Sequence, residues 1–181
     1  MKVVHTAIPD VLILEPRVFA DERGFFLESW NARDFRAALG FDATFVQDNH
    51  SCSRRGVLRG LHYQIVQPQG KLVRVVRGRV FDVAVDLRRS SPSFGRWVGV
   101  ELGGDDNRQV FVPAGFAHGF LVLSDEADVL YKTTDYYAPQ HERCLIWNDP
   151  AVGIAWPLSG EPVLAAKDRA GLRLNEADTF A

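Results

Sequence analysis

The segment GVLRGLHYQIVQPQGKLVRVVRGR, residues Gly56 to Arg79, sets the pattern for the rest of the chain. Its histidine, His62, stands among short apolar residues, with Arg59 three positions before it. Lys71 follows Gly70 and begins an apolar run with basic residues set into it. One strand-loop-strand unit therefore supplies a base and two cations, a combination that indicates chemistry on an anionic small molecule.

The remainder of the chain is mainly a series of short strands. Val80 to Leu87 alternates, with Asp82 and Asp86 on the face opposite to the apolar side chains, which is typical of a strand. Close-spaced strands separated by Gly and Pro turns predict an all-β sandwich or barrel. The other predicted strands are Val11–Glu15, Phe25–Trp30, Phe45–Gln47, Trp97–Leu102, Gln109–Val112, and a hairpin of Gly119–Leu123 with Ala127–Lys132.

Only one segment fits a helix well, from Asn31 to Gly40. Asn31 can cap its first turn, Phe35 and Leu39 share a face, and Gly40 suits the C-terminal stop. From Asp149 onward the sequence is rich in proline and turn residues, and we expect this tail to wrap the barrel.

Composition sets further bounds. The 181 residues are 46% hydrophobic and 24% charged, so we expect one domain over residues 1–181 with its own core. The net charge of -2 offers no overall field for nucleic acid or an anionic membrane. The N-terminal residues contain no long apolar run, and Cys52 and Cys144 are not at metal-ligand spacing. We therefore expect a cytoplasmic protein with two free thiols, a disulfide being the less favoured alternative.

Two spaced motifs resemble those of the cupins, which are double-stranded β-helix jelly-roll barrels. They are Gly56-x5-His62 and Pro113-x-Gly115-x2-His118. Many cupins hold a metal between these motifs, but the usual His-x-His is here His62-Tyr63-Gln64, with no glutamate shortly after it. Two histidines are too few for a transition metal that needs three or four ligands. We therefore expect a barrel with no metal and no cofactor, whose histidines serve another purpose.

From the residues alone, each candidate retains an ordinary alternative. His62 suits a general base near neutral pH, and the alternative is a satisfied core histidine. A regular strand would face Arg59 and His62 in opposite directions, so both reach one cavity only if Gly60 introduces an irregularity. Lys71 either stabilises negative charge on a substrate oxygen or snorkels at a strand edge. For Tyr131 the alternatives are a proton donor and a packing residue.

Several motifs together resemble the dTDP-4-dehydrorhamnose 3,5-epimerase family. The resemblance extends over about Ile8 to Gly171, and the motifs keep the same order. They are Asp21-Glu22-Arg23-Gly24, Gln47-Asp48-Asn49-His50-Ser51, Arg59-Gly60-Leu61-His62-Tyr63-Gln64, Pro113-Ala114-Gly115-Phe116-Ala117-His118-Gly119-Phe120, Tyr131-Lys132-Thr133-Thr134-Asp135-Tyr136-Tyr137 and Lys167-Asp168.

The resemblance implies a reaction and a set of roles. The substrate would be a 4-keto-6-deoxy sugar on dTDP, inverted on both sides of its ketone without metal or cofactor. His62 would be the base, oriented by Asp168; Tyr131 would be the acid on the opposite face, and Lys71 would lie near the C4 oxygen. The implied substrate contacts are Arg23 and Arg59 at the diphosphate, Tyr137 on the thymine, and Glu28, Gln47, Asp48, Asn49, His118, Glu142 and Lys167 elsewhere.

The resemblance also implies a homodimer in which N-terminal strands pack across subunits, so that Arg23 and Glu28 serve the partner's site. Three other functions stay open at this point. The first is an epimerase that inverts only C3 or only C5, and the second is a non-catalytic cupin that binds a sugar nucleotide. The third is a metal-dependent cupin enzyme.

Overall fold

The computed structural model describes all 181 residues and contains two antiparallel sheets that face each other. The six-stranded sheet has the order β1-β2-β10-β7-β12-β5, and the five-stranded sheet has the order β13-β6-β11-β8-β9. The two remaining strands, β3 and β4, form a separate hairpin. The strands are β1 (Lys2–His5), β2 (Leu12–Glu15), β3 (Val18–Asp21), β4 (Gly24–Leu27), β5 (Gln47–Arg54), β6 (Leu58–Gln64), β7 (Lys71–Arg77), β8 (Arg79–Asp86), β9 (Trp97–Gly103), β10 (Gln109–Val112), β11 (Phe116–Val122), β12 (Glu126–Thr133) and β13 (Glu142–Cys144).

Helices are few and short. Helix α1 spans Ala32–Leu39 and helix α2 spans Ala166–Arg169, with a 3-10 turn at Pro139–His141. In α1 the Asn31 side chain accepts a hydrogen bond from the backbone of Asp34, and Gly40 adopts a left-handed conformation at the C-cap. Both caps are the predicted ones. Neither helix has the length and apolar character needed to cross a bilayer.

Three hydrophobic clusters define the layers of the molecule. The largest lies between the sheets and includes Val73, Val110 and Phe120. A second cluster lies between the outer face of the five-stranded sheet and the C-terminal tail, and a third joins helix α1 to the outer face of the six-stranded sheet through the fully buried Phe35. The predicted all-β jelly-roll barrel of the cupin type is confirmed.

The C-terminal tail is held along the five-stranded sheet by isolated bridges. Val163 pairs with Val57, Leu172 pairs with Leu145, and Phe180 pairs with Arg88. Because these bridges extend almost to the last residue, the tail wraps the barrel as expected from its sequence. It also carries α2 to the edge of the space between the sheets, which matters for the site described below.

The predicted hairpin of Gly119–Leu123 with Ala127–Lys132 is wrong. Strand β11 pairs with β6 and β8 in one sheet, whereas β12 pairs with β5 and β7 in the other. The backbone amides of Leu123 and Ser124 both donate to the Arg79 carbonyl, at 2.9 and 3.3 Å, so the segment crosses between the sheets. A polar turn between two apolar runs has the same appearance in sequence whether the strands pair or separate.

Other strand limits also differ from the prediction. The strand expected at Phe45–Gln47 begins at Gln47 and continues through the polar residues to Arg54. The strand expected at Phe25–Trp30 spans Gly24–Leu27, and strands β1 and β3 were not predicted. The extension of β5 escaped notice because its inward residues are polar, so the run lacks the apolar alternation of a core strand.

Candidate active site

A cavity of about 500 Å³ opens between the two sheets, within the range of small-molecule sites. Its walls contain predicted site residues from strands of both sheets, from the loop after β12 and from the C-terminal tail. The predicted residues in the walls are Gln47, Asn49, Arg59, His62, Lys71, His118, Tyr131, Tyr137, Glu142, Lys167 and Asp168. Residues widely separated in sequence are therefore brought to one cavity by the folded chain.

Strand β6 turns both of its candidate residues toward the cavity although they are three positions apart. Pairing of β6 with β11 shifts register between His118 and Phe120, and Gly60 has a φ of 130°. A Cβ atom on Gly60 would lie 2.6 Å from the Cα of Gly119, so only glycine permits this approach. The predicted irregularity at Gly60 is confirmed, and it allows Arg59 and His62 to share one space.

His62 forms a hydrogen-bonded pair with a carboxylate from the tail. Its Nε2 lies 2.5 Å from Oδ1 of Asp168. The His62 side chain is 22% exposed and that of Asp168 is 1% exposed, so the imidazole faces the cavity and the carboxylate lies behind it. An ionised carboxylate at Nε2 holds the proton on that nitrogen, which leaves Nδ1 to accept another.

His118 forms a second pair of the same kind with Asp82. Its Nε2 lies 2.9 and 3.0 Å from the two carboxylate oxygens, and both side chains are buried. Sequence reasoning noticed the carboxylate of Asp82 in an alternating strand but assigned it no function. The alternation places Asp82 opposite to the apolar side chains but does not indicate that this face is inward. Its burial in the structure is what requires a partner for the carboxylate.

Lys71 lies buried between the sheets. Its Nζ donates to the His62 carbonyl oxygen at 3.2 Å, which excludes the strand-edge alternative. Burial lowers the pKa of Lys71 to about 8, against the opposing influence of the Asp82 and Glu142 carboxylates. The ammonium of Lys71 is poorly hydrated, so it interacts strongly with any anion that enters the cavity.

Tyr131 faces the cavity from the opposite sheet to His62. It belongs to β12 of the six-stranded sheet, whereas His62 belongs to β6 of the five-stranded sheet. Burial raises the pKa of the Tyr131 phenol, with Arg59 and Lys167 acting in the other direction. The phenol is therefore protonated near neutral pH and can donate that proton.

The mouth of the cavity carries a small charged network. Glu142 accepts a hydrogen bond from Lys167 at 2.8 Å and another from the Tyr137 hydroxyl at 3.1 Å. Burial alone would raise the pKa of Glu142. The hydrogen bond from Lys167 and the electrostatic effects of His62 and Lys167 lower it by more, so the pKa of Glu142 lies below its ordinary value. The Tyr137 ring is half exposed, so it is available to stack on a planar group.

Gln64 was seen in the sequence only as the residue that replaces a metal-binding histidine. In the structure it is buried and fixes the loop that carries Tyr137. Its amide donates to the carbonyl of Gln67 at 2.8 Å and to that of Tyr136 at 3.2 Å. Its carbonyl accepts from the backbone of Ala138 at 2.8 Å. Nothing in the sequence around Gln64 indicated this contact.

Three predicted site residues do not reach the cavity of the same chain. Arg23 pairs with Asp21 on the exposed β3–β4 hairpin, and Glu28 accepts from Asn31 just after that hairpin. Asp48 lies on the outer face of β5, where it pairs with Lys132 at 2.8 Å. The prediction of a substrate contact by Asp48 ignored the alternation of the strand, because its neighbours Gln47 and Asn49 point inward.

Fold and site together define the class of the protein: a cupin-type jelly-roll enzyme whose cavity combines a histidine–carboxylate pair, a buried lysine and a facing tyrosine. The profile described as dTDP-4-dehydrorhamnose 3,5-epimerase matches residues 5–176. The chain belongs to this family.

Similar proteins agree with that assignment. A Pseudomonas aeruginosa dTDP-4-dehydrorhamnose 3,5-epimerase is 62% identical over 180 residues, which is 99% of each chain. A Legionella pneumophila 3,5-epimerase solved with dTDP-4-keto-L-rhamnose superposes with a TM-score of 0.95 at 52% identity, covering 98% of this chain and 94% of that one. A 3′-monoepimerase from Streptomyces bikiniensis, solved with dTDP-quinovose, superposes with a TM-score of 0.89 at 38% identity, covering 97% of this chain and 88% of that one.

Proposed function

We propose that the chain is a dTDP-4-dehydrorhamnose 3,5-epimerase that converts a dTDP-4-dehydro-6-deoxyglucose into dTDP-4-dehydrorhamnose. The observation that carries this proposal is the opposition of His62 and Tyr131 across a single cavity, one on each sheet. Inversion at carbon requires a proton to leave one face of the sugar and another to arrive on the opposite face. A base and an acid on facing walls meet that requirement.

His62 removes the proton from the carbon beside the C4 ketone. A hydrogen next to a carbonyl is acidic enough for a positioned base, and Nδ1 of His62 is the nitrogen not engaged by Asp168. Asp168 holds the ring orientation and stabilises the imidazolium that forms. This is the usual task of a buried carboxylate behind a catalytic histidine.

Lys71 and Tyr131 complete the step. Proton removal moves negative charge onto the C4 oxygen, and the buried ammonium of Lys71 stabilises that enolate in a poorly hydrated site. The Tyr131 phenol then returns a proton to the opposite face of the carbon. Before the second inversion His62 must release its proton to solvent and Tyr131 must regain one. Repetition at the other carbon flanking the ketone then gives the 3,5-inverted sugar, with no cofactor taking part.

The rest of the wall suits the nucleotide. Arg59 lies near the entrance, where its Nε donates a hydrogen bond to Ser53 Oγ at 2.9 Å. Its other guanidinium nitrogens are left for diphosphate oxygens. Tyr137 stacks on the thymine. The remaining polar groups of the wall serve as further substrate contacts: Gln47, Asn49, His118, Glu142 and Lys167.

A homodimer is part of the same proposal. The β3–β4 hairpin belongs to neither main sheet, and the side chains of Phe19, Phe25 and Phe26 are 48%, 59% and 67% exposed. Packing of this hairpin on a second subunit would cover those rings and carry Arg23 and Glu28 to the partner's cavity. We also infer a reducing, cytoplasmic location, because both cysteines are unpaired.

Incubation with the dTDP-4-keto-6-deoxy sugar in deuterated water tests the chemistry. We expect deuterium to enter at both C3 and C5. Mass spectrometry measures the amount incorporated, and proton NMR identifies the carbons. Exchange at one carbon alone would make the protein a monoepimerase, like the Streptomyces bikiniensis relative. Substrate binding without exchange at either carbon would leave a non-catalytic sugar-nucleotide binder.

A further inference from the structure

A cysteine stands beside the histidine–carboxylate pair of the cavity. Ligand atoms of His62, Cys144 and Asp168 all lie within 4.8 Å of one another. Imidazole, thiolate and carboxylate are the ligand types that zinc binds in proteins. The reaction proposed above uses His62 and Asp168 but gives Cys144 no part.

The fold brings these three side chains together by two separate devices. Cys144 on β13 is the direct cross-strand partner of His62 on β6, and directly opposed residues of antiparallel strands present their side chains on the same face. Asp168 arrives from α2 of the C-terminal tail. The His62 and Asp168 side chains line the cavity, so a cation can approach them through the substrate entrance.

We propose that His62, Cys144 and Asp168 bind a thiophilic divalent cation, Zn²⁺ or Cd²⁺, and that the bound cation reversibly inhibits the enzyme. Inhibition follows because the metal takes the imidazole and carboxylate that the base requires, so this part of the inference rests on the proposed function. The binding of the metal does not depend on the proposed function. A water molecule on the cavity side completes a four-coordinate site.

The distances require only small side-chain movements. Ligand atoms around tetrahedral zinc stand about 3.3–3.8 Å apart, given metal–ligand bonds of about 2.0–2.3 Å. The His62–Asp168 separation of 2.5 Å must therefore open by about 1 Å, whereas the Cys144 sulfur already lies within 4.8 Å of both ligand atoms. Binding also requires the Cys144 thiol to release its proton.

A second cluster of ligand types in the chain does not suit a cation. Cys52, Glu126 and Asp128 also lie within 4.8 Å of one another. The guanidinium of Arg77, however, contacts both carboxylates and lies 3.7 Å from the Cys52 sulfur. A positive charge already occupies the centre of that cluster, so Cys52 provides a matched cysteine control.

The experiment titrates the purified protein with Cd²⁺ and follows the ultraviolet thiolate-to-cadmium charge-transfer band and turnover in parallel. For the wild type and Cys52→Ser we expect one equivalent of Cd²⁺ to produce the band and abolish turnover, with EDTA reversing both. For Cys144→Ser and Cys144→Ala we expect turnover in the absence of added metal and no charge-transfer band on addition of Cd²⁺. The inhibition constant for Zn²⁺ should rise at least tenfold. Mg²⁺, a hard cation, should have no effect at the same concentration.

Two results would overturn the proposal. One is a band that persists in both Cys144 variants, and the other is a band lost in Cys52→Ser. His62→Asn adds a test that does not depend on activity, because removal of an imidazole ligand should weaken Cd²⁺ binding by at least tenfold. If no epimerisation is found in any form, the band still decides the metal site, so failure of the site and failure of the proposed function are distinguishable.

Discussion

The cavity contains two histidine–aspartate pairs whose histidines lie on neighbouring strands, and the two pairs differ in what surrounds them. His62 and His118 are direct partners between β6 and β11. The His62 side chain is 22% exposed and bonds a carboxylate of the tail, whereas that of His118 is 7% exposed and bonds a carboxylate of the adjacent strand β8. The two pairs therefore have similar hydrogen bonds but differ in exposure, and we expect only the more exposed imidazole, that of His62, to act as the base.

The largest expected effect tests whether only one pair supplies the base. His62→Asn should lower turnover by about 10³–10⁴-fold, near the upper end of what a general base contributes. His118→Asn should lower it by no more than about tenfold, since we propose His118 as a substrate contact and not as the base. Asparagine keeps a donor for each carboxylate, so circular dichroism should find both variants folded. Equal losses in the two variants would remove the distinction.

Tyr131→Phe identifies the face from which the second proton comes. We expect product formation to fall by about 10²–10³-fold, because the acid is missing, while solvent deuterium still enters the substrate through abstraction by His62. Adding His62→Asn to this variant should abolish the remaining exchange, and adding His118→Asn should not. Full activity of Tyr131→Phe in a coupled assay would disprove the assignment of the acid.

The carboxylates can be compared in the same way. Asp168→Asn should lower kcat by about 10²-fold with little change in KM, because the amide no longer holds the catalytic tautomer of His62. Asp82→Asn should change kcat by only a few-fold. Its main effect should be on the free energy of unfolding, lowered by about 1–3 kcal/mol through a disturbed buried hydrogen bond. Urea denaturation and steady-state kinetics on both variants measure the contrast.

Lys71 lies close to both pairs, and its protonation should shape the pH dependence of turnover. Burial lowers its pKa to about 8 from the ordinary 10.5, so turnover should decline as the pH rises through about 8 and the enolate loses its cation. Between these two values the unfolded chain binds more protons than the folded chain, so the contribution of Lys71 to stability rises with pH. A pH–rate profile without an alkaline limb near 8 would contradict this role.

Lys71→Met separates the catalytic use of that charge from its structural cost. Removal of a buried ammonium should raise the free energy of unfolding at pH 7, by an amount on the order of 1–3 kcal/mol. It should also lower turnover strongly. If denaturation curves find the variant less stable than the wild type at pH 7, the prediction is wrong, and interactions of the Lys71 ammonium offset the free-energy cost of its burial.

Much of the site was predictable because its signals are local. The motif around His62, the irregularity implied by Gly60, and the caps of the helix at Asn31 and Gly40 depend on neighbours within a few residues. The resemblance to the epimerase family added Asp168, and it placed Tyr131, already a candidate proton donor, on the face opposite to His62. Asp48 lies outside the cavity because the alternation of β5 turns it away from the face of Gln47 and Asn49.

Other features depended on contacts between distant segments. The chain crosses between sheets at Ser124, although its turn residues suggested a hairpin. Asp82 was seen without its partner His118, and Cys144 gave no sign that it would stand opposite His62. Each of these depends on which strands pair, and pairing between distant strands follows from burial and register across the whole barrel.

By itself the sequence determined the strand-rich class, the helix and its caps, the family, and the types of group available for proton transfer, because these follow from residue order over short distances and from motif spacing. Only the tertiary structure decided which sheet carries the base and which the acid, which carboxylate serves His118, and which cysteine stands opposite His62. Those outcomes depend on how the two sheets face each other and on where the tail returns, and short-range residue patterns do not encode either.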